Sequence, residues 1–200
     1  PETIHDFSGF PRDLYEIEYP VPGDIELARR VAGLIGEDTA ALRDDWGIDH
    51  GAWSVLHHLR PRADCPVVQL SIDSRLEPAV HLAIGRALAP LRMEGILIMG
   101  SGNITHNLRY AMMHLYNDDL SLPDWAASFD SEIADALMRP DEEFLVKALE
   151  SKNGRMSHPT PDHFLPLLYA AGAADQEDKI HFPITGFDLG SLSMRAVLFE

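Results

Sequence analysis

Histidine is the residue type that offers this sequence the most chemistry. There are ten histidines and one cysteine, Cys65, in 200 residues. His106 comes soon after the segment Gly100-Ser-Gly-Asn103, which itself follows a short apolar run. Apolar runs of this length, bounded by glycine, are typical of buried strands, and open α/β sheets collect ligands at the carboxyl ends of their strands. His106 is therefore the leading candidate for chemistry.

The glycines before His106 match no phosphate-binding or nucleophile motif. Gly100 and Gly102 are expected to allow a sharp turn with unusual backbone angles. However, the segment lacks both the GxGxxG spacing and the Gly-Lys-Ser/Thr ending of phosphate-binding loops. It also lacks the Gly-x-Ser-x-Gly spacing of a nucleophile elbow. Position alone leaves two roles open for His106, a chemical one and a structural one.

Other histidines could join such a site. His158 and His163 are five residues apart, which is not the i, i+4 spacing of a zinc protease, but one of them could be a metal ligand. His50 is placed in a tight loop beside Asp49, whose carboxylate could orient the ring or fix its tautomer. Imidazoles suit Zn, Cu and Fe, and a facial arrangement with open positions suits non-haem Fe(II). Surface or packing roles are expected for His57, His58, His81, His114 and His181.

The composition argues against several functional classes. The 32 acidic and 16 basic residues give a net charge of −16, which opposes binding to nucleic acid and to anionic membranes. No apolar run approaches the ~18 residues of a transmembrane helix, and no signal peptide is expected at the N-terminus. The lone Cys65 excludes an intrachain disulfide framework and is expected to be a buried structural thiol. We therefore predict a cytoplasmic protein.

Four segments are predicted to be strands. Residues 66–72 and 95–99 have the short apolar pattern of buried strands. Residues 180–184 and 192–199 are predicted to be closing strands, and in the last one apolar residues at even positions, from Leu192 to Leu198, alternate with the odd positions. Strands that alternate with helices favour an α/β fold, and we predict a central mixed sheet flanked by helices in a single domain.

Helices are predicted between these strands. They are expected to contain or follow Asp24, Trp53, Pro78, His106, Pro123 and Pro140. Apolar residues recur at helical spacing after His106, at Leu108, Met112 and Leu115, and after Pro123, at Trp125, Phe129, Ile133 and Leu137. Residues 151–157 are predicted to form a polar loop. Residues 158–172 are predicted to be helical, with either Pro161 or Pro166 in the first turn. Residues 1–23 are too aromatic for a disordered tail, and we expect an irregular segment packed over a core.

Six motifs stand in order along the chain. They are Ile4-His-Asp-Phe-Ser-Gly-Phe-Pro11, Trp46-Gly-Ile-Asp-His-Gly-Ala-Trp53, Gln69-Leu-Ser-Ile-Asp73, Gly100-Ser-Gly-Asn-Ile-Thr-His-Asn-Leu-Arg109, His158-Pro-Thr-Pro-Asp-His-Phe-Leu-Pro-Leu-Leu168 and Gly190-Ser-Leu-Ser-Met194. Together they resemble the class III extradiol ring-cleavage dioxygenases, in particular the 4,5-DOPA dioxygenase-like branch. The resemblance extends from residue 4 almost to the C-terminus.

The resemblance implies both a fold and a reaction. It implies an α/β enzyme that uses a mononuclear non-haem Fe(II), replaced by zinc in some members, to open a catechol ring with O2. By motif, His163 matches a metal-binding histidine, and His106 matches a catalytic acid/base or a fourth metal contact. His50 matches a histidine that lines the substrate pocket and would assist His106 by a hydrogen bond.

One departure from the family pattern concerns the metal. The family carries two more metal-binding histidines, in a His-Gly-Ser-Pro turn and a Ser-Ala-His-Trp turn, and neither turn occurs in this sequence. We expect the N-terminal portion of the family domain to lie outside this sequence. The alternative is a true variant with a broken site, which leaves room for a non-enzymatic binding protein on the same scaffold. A metal-dependent hydrolase is a further alternative.

Overall fold

The computed structural model describes residues 1–36, 38–119 and 121–200. Internal contacts group the chain into two compact units, Pro1–Ser71 and Ile72–Glu200. Helices are the main regular elements in the described ranges of both units. None of the helices in the described ranges has the length and apolar character needed to cross a membrane.

The first unit is built from two α-helices and an irregular N-terminal segment. The helices are α1 (Ile25–Ile35) and α2 (His50–Leu59), and a short 3-10 helix covers Arg12–Tyr15. Asp24 caps α1, as predicted, because its carboxylate accepts a hydrogen bond from the backbone N–H of Leu27. The irregular segment does pack over a core, which consists of Tyr19, Val21, Ile48, Trp53 and Leu56.

The second unit contains six α-helices in the ranges described. They are α3 (Pro78–Leu88), α4 (Leu108–Asn117), α5 (Asp124–Met138), α6 (Glu142–Lys147), α7 (Lys152–Ser157) and α8 (Leu165–Ala173). Short 3-10 helices cover Ala89–Glu94 and Ala148–Glu150. The stripe predicted along α5 forms the centre of the core, where Phe129 and Ile133 are fully buried against Phe164, Leu165 and Leu168.

The α/β class is confirmed, but the sheets differ from the prediction. The strands are β1 (Ile180–Ile184), β2 (Phe187–Asp188), β3 (Leu192–Ser193) and β4 (Ala196–Phe199). They form two separate antiparallel pairs, β1 with β4 and β2 with β3. No central mixed sheet forms among the described residues.

The two segments predicted as buried strands explain this difference. Residues 66–72 and 95–99 pair with no other strand in the described parts of the chain. Leu97 accordingly keeps 73% of its surface exposed. A strand requires a neighbour for its N–H and C=O groups, and apolar composition alone does not reveal whether that neighbour is present.

The segment predicted as the last strand, residues 192–199, forms β3 and β4. Its odd-numbered side chains point inward, and not the even-numbered ones of the predicted apolar alternation. Val197 and Phe199 pack against the core of the second unit, whereas Met194 and Leu198 are exposed. Towards β3, the side chains on the inward face are polar, and they bond to a charged side chain inside the protein.

A buried ion pair determines that orientation. Asp130 of α5 accepts a hydrogen bond from Ser193 Oγ at 2.6 Å and from Arg195 Nη2 at 2.5 Å. The Arg195 guanidinium also lies 4.7 Å from the ring centroid of Phe182. Buried charges need partners of this kind, so Ser193 and Arg195 point inward and the alternate residues point outward.

Two local predictions were wrong, and the helix predicted over residues 158–172 starts later, which is the alternative with Pro166 in its first turn. Residues 151–157 are not a loop, because Ser151 Oγ accepts the N–H of Gly154 and caps α7. Helix α8 begins at Leu165, with Pro166 rather than Pro161 in its first turn. Cys65 is exposed, not buried.

Helix α4 follows His106 as predicted, but it buries a different face. Leu108 and Leu115 are each about half exposed. The buried residues are Ala111 and His114, and His114 Nδ1–H donates to the carbonyl of Asp119 at 2.7 Å. A satisfied imidazole thus replaces the expected apolar contact.

Candidate active site

The two glycines of the Gly-Ser-Gly-Asn segment bring it into contact with the segment at the start of α8. A Cβ atom on Gly100 would overlap the carbonyl of Pro166, and one on Gly102 would overlap the carbonyl of His163. Neither glycine has a positive φ, so the predicted turn with unusual angles is not formed. The segment needs glycine for close approach, which lets the Asn103 N–H donate to the His163 carbonyl at 2.9 Å.

This approach places the rings of His106 and His163 face to face. Their centroids are 3.5 Å apart and their planes differ by 5°. The His106 backbone N–H donates to the carbonyl of Ser157 at 3.0 Å. Asp162 Oδ2 lies 2.7 Å from His163 Nδ1, but this contact lacks hydrogen-bond geometry, and the buried Nδ1 has no hydrogen-bond partner among the described residues.

The surroundings of His106 favour its neutral form. Burial lowers its pKa, and repulsion by a protonated His163 lowers it further, so that the value is about 4 even though Asp162 favours the charged form. A neutral imidazole at neutral pH has one nitrogen free to accept a proton. His106 therefore has the protonation state that a general base requires.

His158 stabilises the backbone segment that precedes His106. Its Nε2–H donates to the carbonyl of Ile104 at 2.8 Å, and its ring packs against Phe129 and Phe164. Burial lowers its pKa to about 4. Its Nδ1 is buried without a partner in the ranges that the structure covers. Of the two histidines in this motif, His163 therefore stacks on His106 and His158 holds the backbone behind it.

Backbone groups of β3 and of the turn before it bind the Thr105 side chain on the other side of the site. Thr105 Oγ1 donates to the carbonyl of Ser191 at 2.7 Å and accepts the N–H of Ser193 at 2.9 Å. Asn107 caps α4 by accepting the Tyr110 N–H at 3.0 Å. The residues on both sides of His106 are thus hydrogen-bonded, and its position is tightly defined.

His50, the third predicted site residue, lies in the first unit at the start of α2 and not in a loop. Asp6 Oδ1 lies 2.7 Å from its ring Nδ1 and accepts its backbone N–H at 3.1 Å. The predicted partner, Asp49, instead caps α2 through the Ala52 N–H and accepts Nε2–H of Gln69. Asp6 is 44 residues away from His50, and no spacing rule connects the two.

Aromatic side chains of the N-terminal segment surround this pair. The Phe7 ring lies nearly perpendicular to the His50 ring at a centroid distance of 5.5 Å, and Phe10 and Tyr15 pack on Phe7 at 5.3 and 4.9 Å. Phe10 remains 53% exposed. An accessible aromatic surface therefore adjoins His50.

The described residues supply only part of a ligand set for the metal that the sequence predicts. Within residues 1–36, 38–119 and 121–200, no group of three or more His, Cys, Asp or Glu side chains is arranged to hold a metal ion. His163 would supply one imidazole ligand to a metal, and the parallel ring of His106 lies 3.5 Å from the His163 ring. The described residues thus do not complete a metal site.

Comparison with known proteins gives a consistent result. Residues 1–191 match the family model for the catalytic LigB subunit of aromatic ring-opening dioxygenase, and the match spans both compact units. The chain is 46% identical to 4,5-DOPA dioxygenase extradiol of Escherichia coli (strain K12), with 98% of this chain and 73% of the relative covered. It is 40% identical to the Beta vulgaris protein of the same name, with 99% and 74% covered.

A solved structure shows the same fold. The crystal structure of an uncharacterized protein from Escherichia coli K12 superposes with a TM-score of 0.83 at 41% identity. The superposition covers 98% of this chain and 79% of that chain. The fold class predicted from the sequence is therefore supported by a structural relative as well as by the described helices and strands.

Proposed function

Because the chain belongs to the LigB family of aromatic ring-opening dioxygenases, we propose that it opens a catechol ring next to the diol, with O2 as co-substrate. Its relatives named as extradiol dioxygenases place it among the oxidoreductases. The observation that carries the proposal is the pairing of a half-buried, neutral His106 with His163 at 3.5 Å. The net charge of −16 supports a cytoplasmic enzyme that acts on a small molecule.

His163 is proposed as one metal ligand, with Fe(II) as the working metal and zinc able to occupy the same position. When bound, such a metal carries electron density from a catecholate to O2. The described residues do not complete its ligand set, so the roles proposed below concern only side chains of this chain.

His106 is proposed as the acid/base. Its ring lies against His163, which would hold the metal, and its pKa of about 4 keeps it neutral and able to accept a proton. The neutral ring takes a proton from a substrate hydroxyl and later returns it to the ring-opened product. The hydrogen bonds around Thr105 and Asn107 keep the ring in place during this exchange.

The test is a ring-opening assay. The 200-residue chain and the chain as encoded, with any residues upstream of Pro1, are loaded anaerobically with Fe(II). They are then given L-DOPA or simple catechols and O2. A yellow ring-opened product is expected from the form whose ligand set is complete. If neither form converts any of these catechols, the proposal is wrong.

A second candidate is a binding protein on the same scaffold. The absence of a three-ligand group among the described residues is the observation that favours it. Catechol binding measured by calorimetry, without oxygen uptake in either form, would support this candidate. Ester or amide turnover with zinc would instead support a metal-dependent hydrolase.

A further inference from the structure

We propose that Asp6 is a positioning residue that holds His50 as the Nδ1–H tautomer and so keeps Nε2 free to accept a hydrogen bond from a phenolic hydroxyl. The part of this inference that concerns Asp6 and the tautomer stands on the first unit alone. The part that concerns the phenolic hydroxyl rests on the proposed function.

The contact itself fixes the ring. One carboxylate oxygen of Asp6 is 2.7 Å from His50 Nδ1 and accepts the backbone N–H of the same residue at 3.1 Å. Two contacts from one atom to the ring and to the backbone of His50 define both the position and the rotation of the imidazole. The Phe7 ring packs against one side of the imidazole, nearly perpendicular to it, with the ring centroids 5.5 Å apart.

The tautomer follows from the nature of the acceptor. An ionised carboxylate can only accept hydrogen bonds, so the contacting Nδ1 must carry the proton. Burial opposes ionisation of Asp6, but the hydrogen bonds from the ring and backbone of His50 outweigh it, and the pKa of Asp6 is lowered. A neutral imidazole with its proton on Nδ1 has its lone pair on Nε2. This is the same division of roles as in a Ser-His-Asp triad, where the carboxylate orients the base.

No other carboxylate on the same helix end can do this. Asp49 is adjacent to His50 but is already bonded to the backbone of Ala52 and to Gln69 Nε2 at 2.7 Å. The side chain of His50 remains 47% exposed, and its Nε2 has no hydrogen-bond partner in the described ranges. The free nitrogen is therefore accessible from solvent.

The neighbours of that nitrogen indicate the class of ligand. Phe7, Phe10 and Tyr15 form an aromatic cluster beside His50, and Phe10 is 53% exposed. Aromatic side chains favour offset or edge contacts with another planar ring. A planar aromatic molecule that carries a hydroxyl fits both features, since its ring would meet the cluster while the hydroxyl donates to Nε2.

The tautomer is measured by nitrogen NMR on protein labelled with 15N-histidine at pH 8, with the His50 signals assigned from the His50→Gln variant. In the unmodified chain, Nδ1 is expected to be protonated and Nε2 unprotonated. Asp6→Ala should shift both signals towards those of free histidine, and Asp6→Asn should preserve the pattern because the amide oxygen still accepts. Asp49→Ala is the matched control, because it removes the helix cap without touching the ring.

The NMR result decides the inference independently of activity. A wild-type His50 protonated on Nε2, or an Asp6→Ala spectrum identical to that of the wild type, would overturn it. In a form that opens catechols, Asp6→Ala should lower kcat/KM by about tenfold or more, whereas Asp49→Ala at equal folded fraction should not. If no form is active, the proposed function is wrong, but the NMR spectra still test the tautomer assignment.

Discussion

The rings of His106 and His163 stack in parallel with their centroids 3.5 Å apart, although 57 residues separate them in the chain. Gly102 makes this possible, because its Cα lies against the backbone of His163 without an intervening side chain. The stacked rings therefore depend on Gly102, and substitutions at any of these three residues are expected to change the site.

Gly102→Ala is expected to disturb the site. The added methyl group would overlap the His163 carbonyl, and overpacking of this kind costs roughly 1–3 kcal/mol. Urea unfolding should show the loss, and ring-opening activity should fall with it. Gly33→Ala is the control, because Gly33 lies inside α1 with open space around it and alanine should stabilise that helix by about 0.5–1 kcal/mol. Equal effects of the two substitutions would contradict the packing argument.

His163→Ala and His106→Ala are expected to separate metal binding from chemistry. In the chain as encoded, His163→Ala should reduce the Fe(II) or Zn content after dialysis, because a ligand is lost. His106→Ala should retain the metal and lose turnover, since it removes only the proton acceptor. Metal analysis and oxygen uptake measure the two effects. Loss of metal in His106→Ala would show that His106 is mainly a ligand.

The pH dependence of stability should reflect His158. Its pKa is about 4 in the folded protein against about 6.5 in an unfolded chain. The unfolded state therefore binds more protons between these values, and stability that is present above pH 6.5 is lost as the pH falls towards 4. The contribution of His158 should be on the order of 2 kcal/mol between pH 7 and pH 4.5. His158→Gln can still donate to the Ile104 carbonyl but does not titrate, so its urea midpoint should fall less over this range. If the midpoint of this variant falls with pH as steeply as that of the wild type, His158 is not the group responsible.

The ion pair between Asp130 and Arg195 is expected to be essential for the fold of the second unit. Both side chains are largely buried, and removal of one partner from such a pair typically costs about 3–5 kcal/mol. Asp130→Ala should therefore lower the unfolding midpoint strongly. Asp45→Ala removes the partner of Arg43 in an exposed pair and should leave the midpoint unchanged. Similar shifts for the two variants would mean that burial does not matter here.

Local signals in the sequence predicted local features well. The cap at Asp24, the stripe along α5 and the bounds of β1 all follow from short spacings, and each was predicted correctly. These features depend on neighbours within a few residues, so the sequence carries the necessary information in one place.

Features that depend on distant residues were missed or misread. The partner of His50 is Asp6, not the adjacent Asp49. The glycines before His106 serve close packing against a segment some 60 residues later, not a turn. Residue type alone allows either His158 or His163 to join His106, and only motif resemblance selects His163, because no spacing rule connects the two sites. In each case the residue type is compatible with several roles, and the contacts made in the folded protein determine which role it has.

The hydrogen bond from Thr105 Oγ1 to the carbonyl of Ser191 spans 86 residues at 2.7 Å. A growing chain folds from its N-terminus as it leaves the ribosome, so the helices of the first unit can form early. The bonds of Thr105 to this part of the chain can form only after Ser191 and Ser193 have emerged. The site proposed around His106 is therefore expected to gain this support well after residue 106 itself has been synthesised.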